Sequence, residues 1–465
     1  MVATRVFDPT AAAGRAPARR RVARRHPPAP RPAIGRVAVW AALLGLVAVV
    51  ILGVASESAA DLHVRGGVAL FIGGMTGLVG MYLALVQLLL ISRIPAIERI
   101  LGQDGLLRWH RRVGPWPISL LLAHAVIITI GFAEAARTGV LHELAVFLRS
   151  YPDMLSATVG LALMCMAGIA SVRWLRDRMR RETWWVIHLY MYLALALAFA
   201  HVLALGPTFV GHPATQAVWA LVWAATAGTV LSYRFVLPLV RSLRHGIRVA
   251  EVHQEVPGVT SVVMTGRHLD RLPIEGGQFI AWRFMTRGLW WQAHPYSVSA
   301  LPRPPYLRIT VRRVGDHSAA LARLRPGTRV FIEGPYGAVT PEVRVHEKVA
   351  LVAGGIGITA IRALLEDLPP SAEPVVVVRV PSRAQFALRE ETEALVSRLD
   401  GTLREVVGPR SATGGPSRFL PKLIPDLLKR DLYVCGPEAF VEEVVATARE
   451  RGMDRKAVHY EIFRW

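Results

Sequence analysis

Cysteine and lysine are the scarce residues of this chain. Two cysteines occur in 465 residues, Cys165 in an apolar stretch and Cys435 far downstream. Neither a disulfide framework nor a cysteine metal site is therefore expected. Only four of the 55 basic residues are lysines, and 34 acidic residues leave a net charge of +21. A charge of that size first suggests nucleic acid. The arginines, however, are gathered beside apolar runs, so membrane lipid is the expected partner and nucleic acid is not. Formal charge is itself missing from long stretches, and no calcium-binding loop is apparent in the N-terminal tail. The excess of arginine and alanine suggests a bacterial chain.

What is present is apolar: 52% of the residues are hydrophobic, a high share for a soluble protein. Residues 1–36 are rich in Arg, Ala and Pro and read as a disordered basic tail. Six apolar spans follow, at about 37–54, 67–92, 113–133, 154–172, 183–205 and 213–233, each long enough to cross as a helix. The first is read as an uncleaved helix and not a signal peptide, because it has a long basic flank and five further spans behind it. Arginines crowd two loops: Arg93, Arg99, Arg108, Arg111 and Arg112 after the second span, and Arg173, Arg176, Arg178, Arg180 and Arg181 after the fourth. The positive-inside rule then puts these loops, the N-terminus and everything after residue 233 in the cytoplasm.

Against this background four histidines stand out. His188 and His201 lie thirteen positions apart in an uncharged span, and His110 and His124 lie fourteen apart around another. Histidine inside a membrane is costly and marks a functional site. Fourteen residues rise about 21 Å and return to within about 40° of the starting face. Thirteen land about 140° away, so the second helix must be tilted, bulged or offset. Pro115 and Pro117 argue for an irregular entry to the other helix. The topology places His110 with His188 near the cytoplasmic leaflet, and His124 with His201 nearer the outer one. Two histidines closing on one iron leave no open position, which suits electron transfer. His142 and His212 fall in outer loops and are given no such role.

After residue 243 the pattern changes. Short alternating segments punctuated by Gly and Pro suggest a small antiparallel β-barrel. From Lys348 strands alternate with helices, the mark of a parallel α/β domain. Gly354-Gly355-Ile356-Gly357-Ile358-Thr359 joins a strand to a helix, where glycines let backbone approach a pyrophosphate. His294-Pro295-Tyr296-Ser297 offers an aromatic ring and a hydroxyl, and Cys435-Gly436-Pro437 follows another strand. Arg379, Ser382 and Arg383 end or follow the strand VVVVRV, where a 2′-phosphate would lie; they favour NADPH, with NADH the alternative.

The order HPYS, then GDHS at 315–318, GPYG at 334–337, GGIGIT, CGP and a terminal aromatic run resembles the ferredoxin–NADP reductase superfamily. With the membrane half, the chain from about residue 67 onward resembles the ferric reductase and NADPH oxidase family. The resemblance implies a six-helix transmembrane haem domain (37–240), a β-barrel FAD domain (245–342) and an NAD(P)-binding α/β domain (345–465). It implies two b-type haems, one on His110 and His188 and one on His124 and His201. Tyr296 would pack on the flavin ring with Ser297 near its reactive nitrogen, and His294 and Pro295 would shape that site. Arg312, Gly315, His317 and Ser318 would meet the FAD diphosphate and adenosine. Gly354, Gly355, Gly357 and Thr359 would cradle the nicotinamide dinucleotide, flanked by Cys435 and Gly436. Trp465 or Phe463 would stack on the flavin until nicotinamide displaces it. Ala360 replaces a common proline, and GDHS replaces a GDWT-like run. The implied activity is electron transfer from cytoplasmic NADPH through FAD and the haems to an acceptor on the outer face of a bacterial inner membrane. That acceptor is oxygen, a ferric chelate or a periplasmic redox protein; a haem-free tethered flavin reductase is the rival reading.

Overall fold

The structure, a computed structural model, describes residues 32–463 apart from 57, 95, 96, 99, 100, 102, 152 and 207. Most of the basic tail, Arg99 and Trp465 lie outside the described residues. The chain divides near residue 233 into a helical unit and a second unit of two sheets.

The helical unit runs α1 (Pro32–Ala55), α2 (Gly67–Ile91), α3 (Gln103–Val113), α4 (Pro115–Ala136), α5 (Val140–Ser150), α6 (Met154–Ala170), α7 (Arg181–Leu205) and α8 (Pro213–Leu231). Four runs among the described residues are long and apolar enough to cross a membrane: Gly67–Ile91, Gly105–Ala136, Arg181–Leu205 and Pro213–His245. The fourth expected span is the 17-residue α6, bent by 114° from α5, and the first contributes a shorter apolar helix, Val39–Ala55. Pro115 and Pro117 do not break the third span. They occupy the first turn of α4, where a missing N–H costs little, and the Gly114 N–H still bonds to the His110 carbonyl at 2.9 Å.

Small residues set the helix spacing. A Cβ at Gly73 would come within 2.7 Å of Ile128, and one at Gly80 within 3.1 Å of Leu120 and Leu121, so α2 lies backbone-close against α4. A Cβ at Gly160 of α6 would reach 2.8 Å from the Ala194 carbonyl of α7. Met81, Leu85, Met164, Ala194 and Leu195 fill the space between, while Leu44, Leu155 and Leu221 point outward, as lipid-facing positions do.

The second unit opens with six antiparallel strands: β1 (Arg248–Val256), β2 (Val259–Thr265), β3 (Phe279–Phe284), β4 (His294–Arg303), β5 (Tyr306–Arg312) and β6 (Val330–Tyr336). They pair in the order β1-β2-β5-β4-β3-β6. The two edges meet: Val249 N–H bonds Thr328 at 2.9 Å and Val330 N–H bonds Ile247 at 2.9 Å. Ile280, Trp282, Phe284, Val262 and Ile309 fill the interior. Five parallel strands follow, β7 (Val349–Gly354), β8 (Val375–Val380), β9 (Thr402–Val407), β10 (Asp431–Pro437) and β11 (Val458–Phe463), in the order β11-β10-β7-β8-β9. Both faces of the central strand β7 are buried, which is why it reads as an unbroken apolar run.

Candidate functional site

The helical unit brings its four membrane histidines together in two pairs. His110 on α3 faces His188 on α7, with ring centres 6.0 Å apart and planes at 79°. His124 on α4 faces His201 on α7 at 6.3 Å and 72°. An imidazole nitrogen sits about 2 Å from a metal it binds, with the ring centre roughly 1 Å beyond. Two rings on opposite sides of one ion therefore have centres about 6 Å apart, which is the separation found. No cluster of three or more metal-ligating side chains occurs among the described residues. Each pair thus brings two imidazoles to one level of the helical unit.

The tautomers suit that use. The Nδ1 of His124 lies 2.8 Å from the Gly73 carbonyl. A carbonyl only accepts, so Nδ1 carries the hydrogen and Nε2 keeps its lone pair. His188 reaches the same state differently. The Ser171 hydroxyl donates its one hydrogen to the Ala167 carbonyl at 2.7 Å and accepts from Trp184 Nε1 at 3.3 Å. Toward His188 Nδ1, 3.4 Å away, it can only accept. The Nδ1 atoms of His110 and His201 are buried and have no hydrogen-bond partner among the described residues.

Residues that sequence reasoning passed over make room for this arrangement. A Cβ at Gly77 would lie 2.5 Å from His124 Nδ1, so only glycine lets α2 approach the ring. The Gly73, Gly77, Gly80 spacing was the available signal, a small-residue face. Gln87 donates to the His110 carbonyl at 3.2 Å. Trp184 stacks on His188 at 5.1 Å and 22°, and the Arg176 guanidinium lies 5.0 Å from the Trp184 ring.

In the second unit β4 presents His294, Pro295, Tyr296 and Ser297 opposite β3, with Ser297 beside Phe279 and Tyr296 beside Ile280. The short helix Asp316–Leu321 after β5 brings His317 to them. The Tyr296 phenol lies 2.9 Å from His317 Nδ1, and the His294 and His317 rings stack at 3.6 Å. Burial, with His294 second, pushes His317 down to about 3, so its imidazole is neutral at ordinary pH. Burial also pushes the Tyr296 phenol up. The His317 Nε2 is buried with no partner among the described residues, an orphaned polar atom that a flavin would satisfy. Ser318 is turned to the chain itself: its hydroxyl accepts from the Val314 and Gly315 N–H groups at 2.9 and 3.0 Å.

The glycine turn after β7 is built for close approach. Gly355 has φ +54°, and a Cβ at Gly357 would sit 2.0 Å from the Cys435 carbonyl. Gly436 lies against Gly354, and Thr359 donates to the Ile356 carbonyl at 2.9 Å. Arg312, Gly355, Ile356, Pro381 and Gln385 line a shallow cleft between the antiparallel and parallel sheets. Phe463 closes β11 opposite Pro437 and packs in a cluster with Ile356, Ala387 and Leu388. Cys435 is fully buried, and burial with the nearby Glu461 pushes its thiol well up, so it is no nucleophile. Arg379 lies between Gly354 and Val406 in the sheet, and Ser382 is exposed. Arg383 is held by Glu405 at 2.8 Å, and Glu405 also holds Arg389 at 2.8 Å, a partner the sequence reading missed.

These two constellations define a membrane unit with paired histidines joined to a nucleotide-binding flavin module. Residues 76–199 match the family model described as ferric reductase like transmembrane component, and residues 247–340 match that of an FAD-binding domain. The chain therefore carries a ferric reductase-like transmembrane domain fused to an FAD module of the ferredoxin–NADP reductase type. It is 26% identical over 204 residues to a flavohemoprotein of Xylella fastidiosa, covering 41% of this chain and 51% of that one. It is 26% identical over 240 residues to a glycine betaine monooxygenase reductase subunit of Pseudomonas aeruginosa, covering 47% and 64%. The chain thus spans between half and two thirds of these relatives. The flavohem-like FAD/NAD binding domain of nitric oxide dioxygenase from Vibrio cholerae is similar in structure, with a TM-score of 0.41 and 22% identity over 47% of this chain and 99% of that one.

Proposed function

We propose that this protein is a transmembrane oxidoreductase that takes electrons from NADPH on the cytoplasmic side of a bacterial inner membrane and delivers them to an acceptor on the outer side. The observation that carries the reading is the pair of imidazole separations, 6.0 and 6.3 Å, at two levels of one apolar helical unit. Bound FAD supplies conversion of a hydride into single electrons, and two b-type haems supply one-electron carriers between the leaflets.

The residues have distinct tasks. His110 with His188 and His124 with His201 would hold the two irons, His124 and His188 through Nε2 because their Nδ1 atoms already face acceptors. Tyr296, with Ser297 beside it, supports the flavin ring, and neutral His317 holds the Tyr296 phenol in place. Arg312 and the glycine turn receive diphosphate, since a guanidinium and free N–H groups suit anionic oxygens. Arg379, Ser382 and Arg383 receive the 2′-phosphate once Arg383 leaves Glu405. Phe463, in contact with the cleft-lining Ile356, would cover the flavin until nicotinamide arrives, with Trp465 the alternative for that task. All six apolar spans form the haem bundle, and the antiparallel sheet is the FAD barrel. The acceptor is a small diffusible oxidant, oxygen or a ferric chelate.

A reduced-minus-oxidised spectrum of the purified protein, with FAD and NADPH added anaerobically, tests this. The expected result is haem bands that appear on NADPH addition and are lost by half in His124→Leu or His201→Leu. Flavin reduction without haem bands would leave a tethered flavin reductase and sink the relay.

A further inference from the structure

The two histidine pairs differ in what stands behind their ligands. Behind His124 is the Gly73 carbonyl, a strong neutral acceptor at 2.8 Å. Behind His188 is the Ser171 hydroxyl, a longer contact at 3.4 Å, with the Trp184 ring stacked at 5.1 Å and the Arg176 guanidinium 5.0 Å from that ring. Arg176 has no acidic partner among the described residues; the adjacent Asp177 pairs with Arg173 at 3.8 Å.

Two physical effects follow, and they point the same way. A guanidinium keeps its charge at any ordinary pH, and a positive charge favours the electron-richer state of a centre it faces. Arg176 is exposed and the Trp184 indole half-buried, so solvent screens part of this field. A strong acceptor on Nδ1–H makes an imidazole a more basic ligand, which favours oxidised iron; a weak one does so less. His124 has the strong acceptor and His188 the weak one.

Resting on the haem reading above, we propose that Arg176, acting through Trp184, holds the reduction potential of the His110–His188 centre above that of the His124–His201 centre. Arg176 is here a positioning residue for charge, and Ser171 a positioning residue for the ligand.

Anaerobic spectroelectrochemical titration of the purified full-length protein tests this, after haem is counted per chain. Fewer than two haems in the unaltered protein would count against the relay itself, a separate failure. With two present, the unaltered protein should show two one-electron midpoints, and His124→Leu should retain the upper one. Arg176→Gln should lower the upper midpoint and leave the lower in place, and Arg176→Lys should restore it. A tenfold change in the reduced-to-oxidised ratio would read as about 59 mV for one electron. Trp184→Leu, which keeps the charge and removes the ring, should shift the same midpoint and alter the low-spin resonance signature of that centre. Midpoints unchanged in Arg176→Gln and Trp184→Leu, or both moving together, would overturn the proposal.

Discussion

A serine hydroxyl has one hydrogen, and at Ser171 its destination decides which nitrogen of His188 is free. Ser171→Ala removes the acceptor, and loss of such an outer contact weakens metal binding roughly 10- to 100-fold. Haem retained after dilution and gel filtration should fall by about that factor in Ser171→Ala and recover in Ser171→Thr. Gly77→Ala should be more severe, because its methyl would land 2.5 Å from His124 Nδ1. His317 makes a pH prediction. Burial and His294 hold it down to about 3, whereas an unfolded histidine titrates near about 6.5. The unfolded state therefore binds the extra proton between those values, so this contribution is complete above pH about 6.5 and is lost as pH falls toward 3. Thermal unfolding followed from pH 8 to 4 should show the decline, and His317→Phe should flatten it. The residues legible in sequence were those whose type clashed with their surroundings. His124 and His201 stand out in charge-free runs, and Gly354 to Gly357 in an apolar strand end. Gly77, Ser171 and Trp184 did not, because glycine, serine and tryptophan are ordinary in membrane helices and their roles arise only when another helix arrives.

At the scale of elements, a buried charge network joins the antiparallel sheet to the parallel one. Arg308 of β5 meets both oxygens of Glu391 at 2.7 Å, Arg362 reaches Glu391 at 2.7 Å and Glu366 at 2.9 Å, and Arg303 reaches Glu366 at 2.7 Å. Stripping one partner from such a set costs about 3–5 kcal/mol, while replacing both with apolar groups is nearly neutral. Arg308→Met should lower the chemical-denaturation stability of the flavin module by about that amount, and Arg308→Met with Glu391→Met should regain most of it. Burial opposes ionisation of Glu391 and Glu255. Arg308 nonetheless holds Glu391 below the ordinary carboxylate range, and His253, Ser261 and Arg308 hold Glu255 at about 2. Their folded pKa lies below the unfolded value, so the contribution is full above pH about 4.3 and lost as pH falls through the folded pKa. The pairings Arg303–Glu366 and Arg308–Glu391 were not visible in sequence, since their members lie 63 and 83 residues apart, whereas Arg362 and Glu366 form an i, i+4 helical pair. The helices were more legible. The thirteen-residue spacing of His188 and His201 nevertheless remains a true mismatch: α7 is a single 25-residue helix, so the two pairs are offset around it instead of lying in line.

For the whole molecule the question is sidedness. Arg108, Arg111, Arg112 and Arg173 through Arg181 gather at the end of the helical unit that carries His110 and His188, as the paired rings at 6.0 Å require. In sealed vesicles with NADPH confined to the flavin side, an impermeant acceptor enclosed on the far side should be reduced, and His201→Leu should abolish that. A dye on the flavin side, drawing electrons directly from flavin, should be reduced equally by both proteins. Equal loss of both signals in His201→Leu would contradict a relay with a distinct outer level. The domain order was legible because each part has its own periodicity: apolar runs of twenty or more, then alternation, then strand and helix in turn. The acceptor was not, because no residue type reports it. The contact between His124 and the Gly73 carbonyl has a consequence for inheritance. No codon change at position 73 can delete a main-chain oxygen. A substitution at position 73 would act instead through a Cβ that meets Ile128 at 2.7 Å and drives α2 from α4, so the contact is lost through helix spacing, at Gly73 and Gly77 alike, or through replacement of His124 itself.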